Sequence, residues 1–153
     1  MISIIRAKYE DAAEILKVKI SAFSEEVELY GSGPPGYDSL EEQIEAIENG
    51  YVFKFVKDGK IIGGMGIYDK GNLYYRIGSI FVDLDCHNQG IGTLAMNFLE
   101  KEFSYVHKWS LETPYKSYRN HHFYEKFGFR KIGETQPDQN GFYLFKYEKI
   151  ISG

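Results

Sequence analysis

One stretch constrains this chain more than any other: Val82-Asp83-Leu84-Asp85-Cys86-His87-Asn88-Gln89-Gly90-Ile91-Gly92-Thr93. A run of strand character, Ile77-Gly78-Ser79-Ile80-Phe81-Val82, leads into it. A run of helical character, Thr93-Leu94-Ala95-Met96-Asn97-Phe98-Leu99-Glu100, leaves it. The pattern predicts a strand, a tight polar loop and a helix N-terminus. Such a junction gathers backbone N–H groups without intrahelical partners at the positive end of a helix dipole. Gly90 and Gly92 carry no Cβ, so a ligand can approach the backbone closely. The combination suits a phosphate or pyrophosphate.

Gly-x-Gly alone does not say which phosphate ligand. The dinucleotide fingerprint asks for a third glycine, and the position holds Ala95, which the fingerprint tolerates. It also asks for an acidic residue about 20 residues further on, and Glu112 meets that spacing. A P-loop is excluded because no Gly-Lys-Ser/Thr follows. A dinucleotide enzyme would further need a parallel doubly wound sheet. Asp58-Gly59, a two-residue hairpin signal between two strand-like runs, argues against one.

A second landmark is Ser117-Tyr118-Arg119-Asn120-His121-His122-Phe123-Tyr124-Glu125-Lys126-Phe127-Gly128-Phe129. Together with His87-Asn88-Gln89-Gly90-Ile91-Gly92 it resembles the GCN5-related N-acetyltransferase (GNAT) superfamily. Members share a Gln/Arg-x-x-Gly-x-Gly/Ala loop that binds the pyrophosphate of acetyl-CoA. They also share a later helix ending in Phe/Leu-Tyr-Glu-Lys-x-Gly-Phe. Both occur here in the family's order, about thirty residues apart, and the resemblance covers nearly the whole chain. His87 stands where the family usually has Gln or Arg, and Ser117 where an Asn often opens the later helix.

At 153 residues the chain is expected to form a single domain, 1–153, long enough to bury a real core. A net charge of −4 and the lack of a basic stripe argue against nucleic acid as a partner. Cys86 is the only cysteine, so no intramolecular disulfide forms and a reducing compartment fits. The N-terminal apolar run is too short for a signal peptide, and no run approaches the roughly 20 residues of a membrane span. A cytoplasmic protein without membrane attachment is expected. The 13 Tyr and 11 Phe are many, so some of them are expected to line a ligand groove while most pack a core.

In chain order, Ile2 to Arg6 reads as a strand and Tyr9 to Phe23 as a helix with Ala12, Ile15, Leu16, Ile20 and Phe23 on its apolar face. Ser24 to Tyr37 reads as a loop on the strength of Gly31, Gly33, Pro34, Pro35 and Gly36. Ser39 and Glu42 form a capping box before a helix bearing Leu40, Ile44 and Ile47 on one face. Tyr51–Lys57, Lys60–Tyr68 and Leu73–Val82 read as a three-stranded meander, turning at Asp58-Gly59 and at Lys70-Gly71-Asn72. The loop and helix of the opening stretch follow, with Ile91, Leu94, Ala95, Phe98 and Leu99 toward the core. Lys108–Thr113 is a strand, and the helix after it runs to about Phe127, with Gly128 at its C′ position. Phe129–Glu134 and Gly141–Lys149 close the chain as strands. This is a mixed α/β domain on one central sheet. The resemblance implies a mostly antiparallel sheet flanked by helices that splays between its fourth and fifth strands, where the pantetheine of acetyl-CoA pairs with the fourth.

Acetyl transfer to an amine needs a proton acceptor for the amine, a donor for the thioester oxyanion and an acid for the departing thiolate. The resemblance makes Tyr124 that acid, and a phenol, with an ordinary pKa of about 10, is protonated at neutral pH. Phe123 and Phe127 beside it offer the plainer alternative of an aromatic core face. The oxyanion donor is expected to be a backbone N–H near Phe81 or Val82. Cofactor contacts are expected from Ile80, Phe81 and Val82 on the strand, from His87, Asn88, Gln89, Gly90, Ile91, Gly92 and Thr93 in the loop, and from Asn120. Glu25, Glu26 and Glu28 lie where the resemblance puts the acceptor pocket; Glu26 is taken as the base, with Asp83 as a rival. Tyr30, Tyr37, Tyr74, Tyr75 and Arg76 are further pocket candidates. Cys86 reads as a passive loop residue, and His107, His121 and His122 match no standard metal spacing, so no metal is expected.

The reading is an N-acetyltransferase that uses acetyl-CoA as cosubstrate and acts on a small-molecule or peptide amine. The alternative on the same fold is a non-catalytic acyl-CoA-binding or sensor domain. The acidic residues before Gly31 hint at a cationic acceptor. An aromatic-rich last strand, Phe142 to Tyr147, is expected to be exposed and able to pair two subunits as a homodimer.

Overall fold

The computed structural model describes every residue except 32, 35, 87, 88, 152 and 153. The chain runs β1 (Ile2–Arg6), a 3-10 turn (Tyr9–Asp11), α1 (Ala12–Ala22), α2 (Ser24–Tyr30), α3 (Leu40–Asn49), β2 (Tyr51–Lys57), β3 (Lys60–Gly71) and β4 (Tyr74–Val82). A second 3-10 turn (Leu84–Cys86), α4 (Ile91–Glu102), β5 (Lys108–Pro114), α5 (Tyr118–Lys126), β6 (Arg130–Glu134) and β7 (Leu144–Ile150) complete it. The sheet has seven strands in the order β1-β2-β3-β4-β5-β7-β6. It is mostly antiparallel; β4 and β5 are parallel, and α4 is the crossover that a parallel pair requires. This is the mixed α/β architecture expected from the sequence.

The described residues gather into two compact units, Met1–Ile67 with Ser79–Glu102, and Tyr68–Gly78 with Phe103–Gly153. In the first, Ala7, Ile15, Val18, Val52, Ile61 and Phe81 form a buried core, and Phe23 and Ile47 pack against it. Phe53 meets Phe98 of α4 edge-on at 5.0 Å. An ion pair at 3.0 Å between Lys54 and Asp11 ties the first 3-10 turn to β2. Asp58 and Gly59 both have positive φ (51° and 76°), as a type I′ hairpin turn demands, so that hairpin forms where its dipeptide marks it.

In the second unit β7 lies between β5 and β6 and pairs with both. β4 pairs with β5 at Tyr74–Lys108, Tyr75–Trp109 and Arg76–Ser110. Tyr75, Phe103, Tyr105 and Trp109 pack as an aromatic cluster with centroids 5.7 to 6.2 Å apart. Helix α5 ends in a Schellman motif: Gly128 N–H donates to Glu125 O and Phe129 N–H to Tyr124 O, with Gly128 at φ +92°. The rings of Tyr124 and Phe129 meet at 5.7 Å, the hydrophobic contact that accompanies that motif.

Several expectations are corrected. Residues Ser24–Tyr30 form a helix, not a loop: Phe23 is the junction that ends α1 and starts α2, Val27 N–H donates to Phe23 O, and α2 stops at Gly31 (φ +82°). Only half of the capping box forms. Ser39 Oγ accepts Glu42 N–H at 3.2 Å, but Ser39 N–H is already donated to Gly36 O. Ile20, Leu40 and Leu94 are 41 to 43 % exposed rather than core, and Gln43 and Met96 are buried on α3 and α4. Strand β7 is flanked on both sides, so its backbone is not free to pair with a second subunit.

The second hairpin turns at Asn72 and Leu73, one residue later than expected, and both have positive φ (55° and 63°). Leu73 holds this left-handed conformation because its carbonyl accepts the N–H groups of His107 (2.8 Å) and Lys108 (3.3 Å). A branched side chain in that region costs about 1–2 kcal/mol. Leu73→Gly keeps the turn and removes that strain, against a smaller entropic cost of about 0.5–1 kcal/mol. It should raise the melting temperature by about 1–4 °C in a thermal unfolding scan.

Candidate active site

The end of β4 is set by β3. Phe55 is in register with Gly63 and Val56 with Ile61, so Ile62 is an extra, bulged residue. Its carbonyl accepts the N–H of Asp83 at 2.7 Å. A Cβ on Gly63 would lie 2.4 Å from the Phe81 carbonyl oxygen, so β3 and β4 approach this closely only because Gly63 has none. Successive peptide groups of an extended strand point to opposite edges. With Asp83 N–H directed at β3, Val82 N–H and Ile80 N–H face the other edge.

The chain then turns tightly. Asp83 O accepts Cys86 N–H at 2.8 Å, and Asp83 Oδ1 accepts Asp85 N–H at 3.1 Å. Asp83, the rival base, is thereby committed to the turn. Gly90, exposed and at φ +72°, opens α4: Leu94 N–H donates to Gly90 O at 3.1 Å as the first intrahelical bond. The N–H groups of Ile91, Gly92 and Thr93 precede it and carry the positive end of the dipole. No atom lies within 4 Å of where a Gly90 Cβ would be. His87 and Asn88 lie outside the described residues.

Between Asp83 and Thr93 the sequence has two aspartates and no lysine or arginine. A cation arrives from β2 instead: Lys57 Nζ donates to Gln89 Oε1 at 2.9 Å. The sequence reading missed Lys57, since nothing in a linear pattern announces a contact 32 residues away.

The same unit holds Glu26. Its carboxyl is half-buried in the first turn of α2, and among the described residues it has no hydrogen-bond or ion-pair partner. Burial pushes its pKa up to about 7. Glu25 and Glu28 are exposed. On the adjoining helix, Phe23 packs against Phe81 (6.2 Å between centroids) and edge-on against Tyr37 (6.4 Å). Lys19, one turn earlier, holds its Nζ 5.6 Å above the Phe81 ring.

In the other unit Tyr124 is 9 % exposed, packed on Phe123 and Phe129, and its hydroxyl has no hydrogen-bond partner among the described residues. Burial pushes its pKa up to about 12, so the phenol keeps its proton at every physiological pH. Asn120 Nδ2 donates to Thr113 Oγ1 at 3.2 Å. His121 is buried, stacked on Phe145 at 4.5 Å and hydrogen-bonded to Pro114 O, whereas His122 is exposed. Glu112, at dinucleotide spacing, is held by Arg76 at 2.9 Å. Arg76, Tyr75 in its aromatic cluster and Tyr74 on Ser110 Oγ (2.6 Å) are thus structural pairs. Among the described residues no group of three or more His, Cys, Asp or Glu is arranged to hold a metal, and no helix is long and apolar enough to cross a membrane.

Residues 7–151 match the Acetyltransferase (GNAT) domain family. The chain is 32% identical over 133 residues to the uncharacterized protein YrkN of Bacillus subtilis (strain 168), covering 82% of this chain and 71% of that protein. Its fold matches PaiA N-acetyltransferase from Thermoplasma acidophilum in complex with coenzyme A with a TM-score of 0.81, at 16% identity over 99% of each chain. It matches the ribosomal-protein-S18-alanine N-acetyltransferase of Escherichia coli with a TM-score of 0.77, at 18% identity over 100% of this chain and 96% of that one. The two structural likenesses establish the fold, and with the family match over nearly the whole sequence this chain belongs to the GNAT acetyltransferases.

Proposed function

We propose that this protein transfers the acetyl group of acetyl-CoA directly to a primary amine of a small molecule or peptide. The observation that carries the reading is the Glu26 carboxyl, half-buried, unpaired and with its pKa pushed up to about 7. Ammonium groups must lose a proton before they attack, and a base poised near the working pH does this best. The α4 N-terminus supports acetyl-CoA as the donor. Backbone N–H groups of Ile91, Gly92 and Thr93 face the pyrophosphate, and Lys57 adds the positive charge that a loop with two aspartates lacks.

In the proposed reaction Glu26 accepts a proton from the substrate ammonium, directly or through water. The amine nitrogen attacks the thioester carbon. The Val82 N–H, aimed away from β3, stabilises the oxyanion, and Phe81 N–H, on the β3 side, does not. Collapse breaks the C–S bond, the nitrogen gives up its second proton to water, the departing sulfur takes the proton of Tyr124, which solvent then restores, and Glu26 returns its proton to water. The products are an acetamide, coenzyme A thiol and one proton released to water. No bond between enzyme and acetyl group is needed.

The rate of thiol release at low substrate should rise with pH through about 7 as Glu26 ionises. Glu26→Gln should lower kcat/KM by about 10²–10³-fold and abolish that limb of the profile. Stability has the opposite sign. The folded carboxyl titrates about 7 against an ordinary 4.5, so its contribution is fully present below 4.5 and is lost as pH rises through about 7. Unfolding curves of Glu26→Gln should lack this loss.

Tyr124→Phe should lower kcat by about 10²-fold or more with acetyl-CoA affinity within a few-fold of wild type. Tight binding of acetyl-CoA by the wild type with no thiol release across an amine panel would instead favour a sensor. For Lys57→Ala, calorimetry should show acetyl-CoA affinity falling by about 3–10-fold, with a smaller difference at high salt. An unchanged affinity at low salt would remove Lys57 from the cofactor site.

A further inference from the structure

Lys19 and Glu26 lie seven residues apart, on α1 and α2, with Phe23 as the junction between the two helices. Phe23 N–H donates to Lys19 O and Val27 N–H to Phe23 O, both at 3.0 Å. Lys19, Phe23 and Glu26 thus follow one another through the junction as cation, aromatic ring and carboxyl, each half-buried.

The two charges do not pair with each other. Among the described residues neither Lys19 nor Glu26 has an ion pair within 4.0 Å or a side-chain hydrogen bond. Lys19 instead lies over the ring of Phe81 at 5.6 Å, and Phe23 packs against Phe81 and Tyr37. Burial pulls the Lys19 pKa down, and the carboxylate of Glu42 on α3 acts across space to restore part of it. A half-desolvated ammonium without an ion pair or hydrogen bond can still receive an anion.

We propose that the acceptor carries an anionic group as well as its amine, an aminocarboxylate or similar compound with an apolar middle. Its amine meets Glu26, its apolar body lies on Phe23, Tyr37 and Phe81, and its anion meets Lys19. Glu26 alone is compatible with any amine. The nearby cation of Lys19 on α1 disfavours a polycation such as a polyamine, even though the acidic residues before Gly31 suit a cationic acceptor. The inference rests on the acetyl-transfer reading and narrows its substrate class.

The test is thiol release from acetyl-CoA with paired acceptors. Each pair is a primary aminocarboxylate and its carboxamide, with spacers of two to six atoms between nitrogen and carboxyl carbon. The wild type should prefer the carboxylate member of the best pair by about tenfold or more in kcat/KM, as expected for one charge-assisted hydrogen bond. Lys19→Gln should collapse that ratio toward one, and Lys19→Arg should keep most of it. A thermal melt shows that each variant is folded, and the ratio within one variant is independent of how much of it is active. Equal or better use of the carboxamides by the wild type overturns the inference while leaving acetyl transfer intact. So does an undiminished preference in Lys19→Gln. Release with no member of any pair, in enzyme that binds acetyl-CoA and acetylates other amines, overturns the inference alone. No release with any amine overturns the acetyl-transfer reading and the inference together.

Discussion

The hydrogen bond from Asp83 N–H to Ile62 O, 2.7 Å long, fixes where β4 ends and where the ligand loop begins. It exists because β3 carries one residue more than its partner at that point, which frees the Ile62 carbonyl. It is short because Gly63 lets β3 approach the Phe81 carbonyl to a distance that any Cβ would forbid. A 3-10 turn over Leu84–Cys86 follows that anchor, and Gly90 starts α4. The direction of the Val82 N–H, the position of the helix N-terminus and the reach of Gln89 toward Lys57 all follow from it. Backbone donors aimed by a rigid strand do not reorganise when charge develops, which is why such groups suit oxyanion stabilisation.

Electrostatics complete this unit. The chain has a net charge of −4, and its ligand loop is itself acidic at Asp83 and Asp85. In the proposed function an anionic cosubstrate meets the helix dipole and Lys57 of β2, which donates to Gln89. On the helical side the arrangement differs. Lys19 and Glu26 are kept partly out of water, so each shifts toward its neutral form. Groups in that condition are poised to exchange a proton or to receive a counter-charge, and both uses are assigned here.

Much of this was legible in the sequence wherever the signal was local. Asp58-Gly59 marks its hairpin because those residues tolerate the φ angles of a type I′ turn, and Gly128 marks the end of α5 for the same reason. The strand, loop and helix around Gly90 lie where their residues put them. Helix α2 was misread because Gly31 to Gly36 drew attention to the break. The acids Glu25 and Glu26 in the first turn, and a glycine stop after Tyr30, are themselves a helix signature. The placement of β7 between two strands could not be read locally, since strand order depends on crossovers and not on alternation. For the site, Glu26 could be named but not separated from Glu25 and Glu28 until burial distinguished them. Lys19 and Lys57 were invisible because their roles come from contacts with Phe81 and Gln89, distant in sequence.

The most direct test of the central claim is the thermal shift of the full chain with acetyl-CoA, CoA, NAD and ATP side by side. A ligand that binds the folded state alone stabilises it by about 2.7 kcal/mol at 100 times its dissociation constant. For a chain of this size that is a rise of about 5–10 °C. The α4 loop as described predicts that rise with acetyl-CoA and with CoA. A shift with NAD alone, or none with either thioester or thiol, would contradict it.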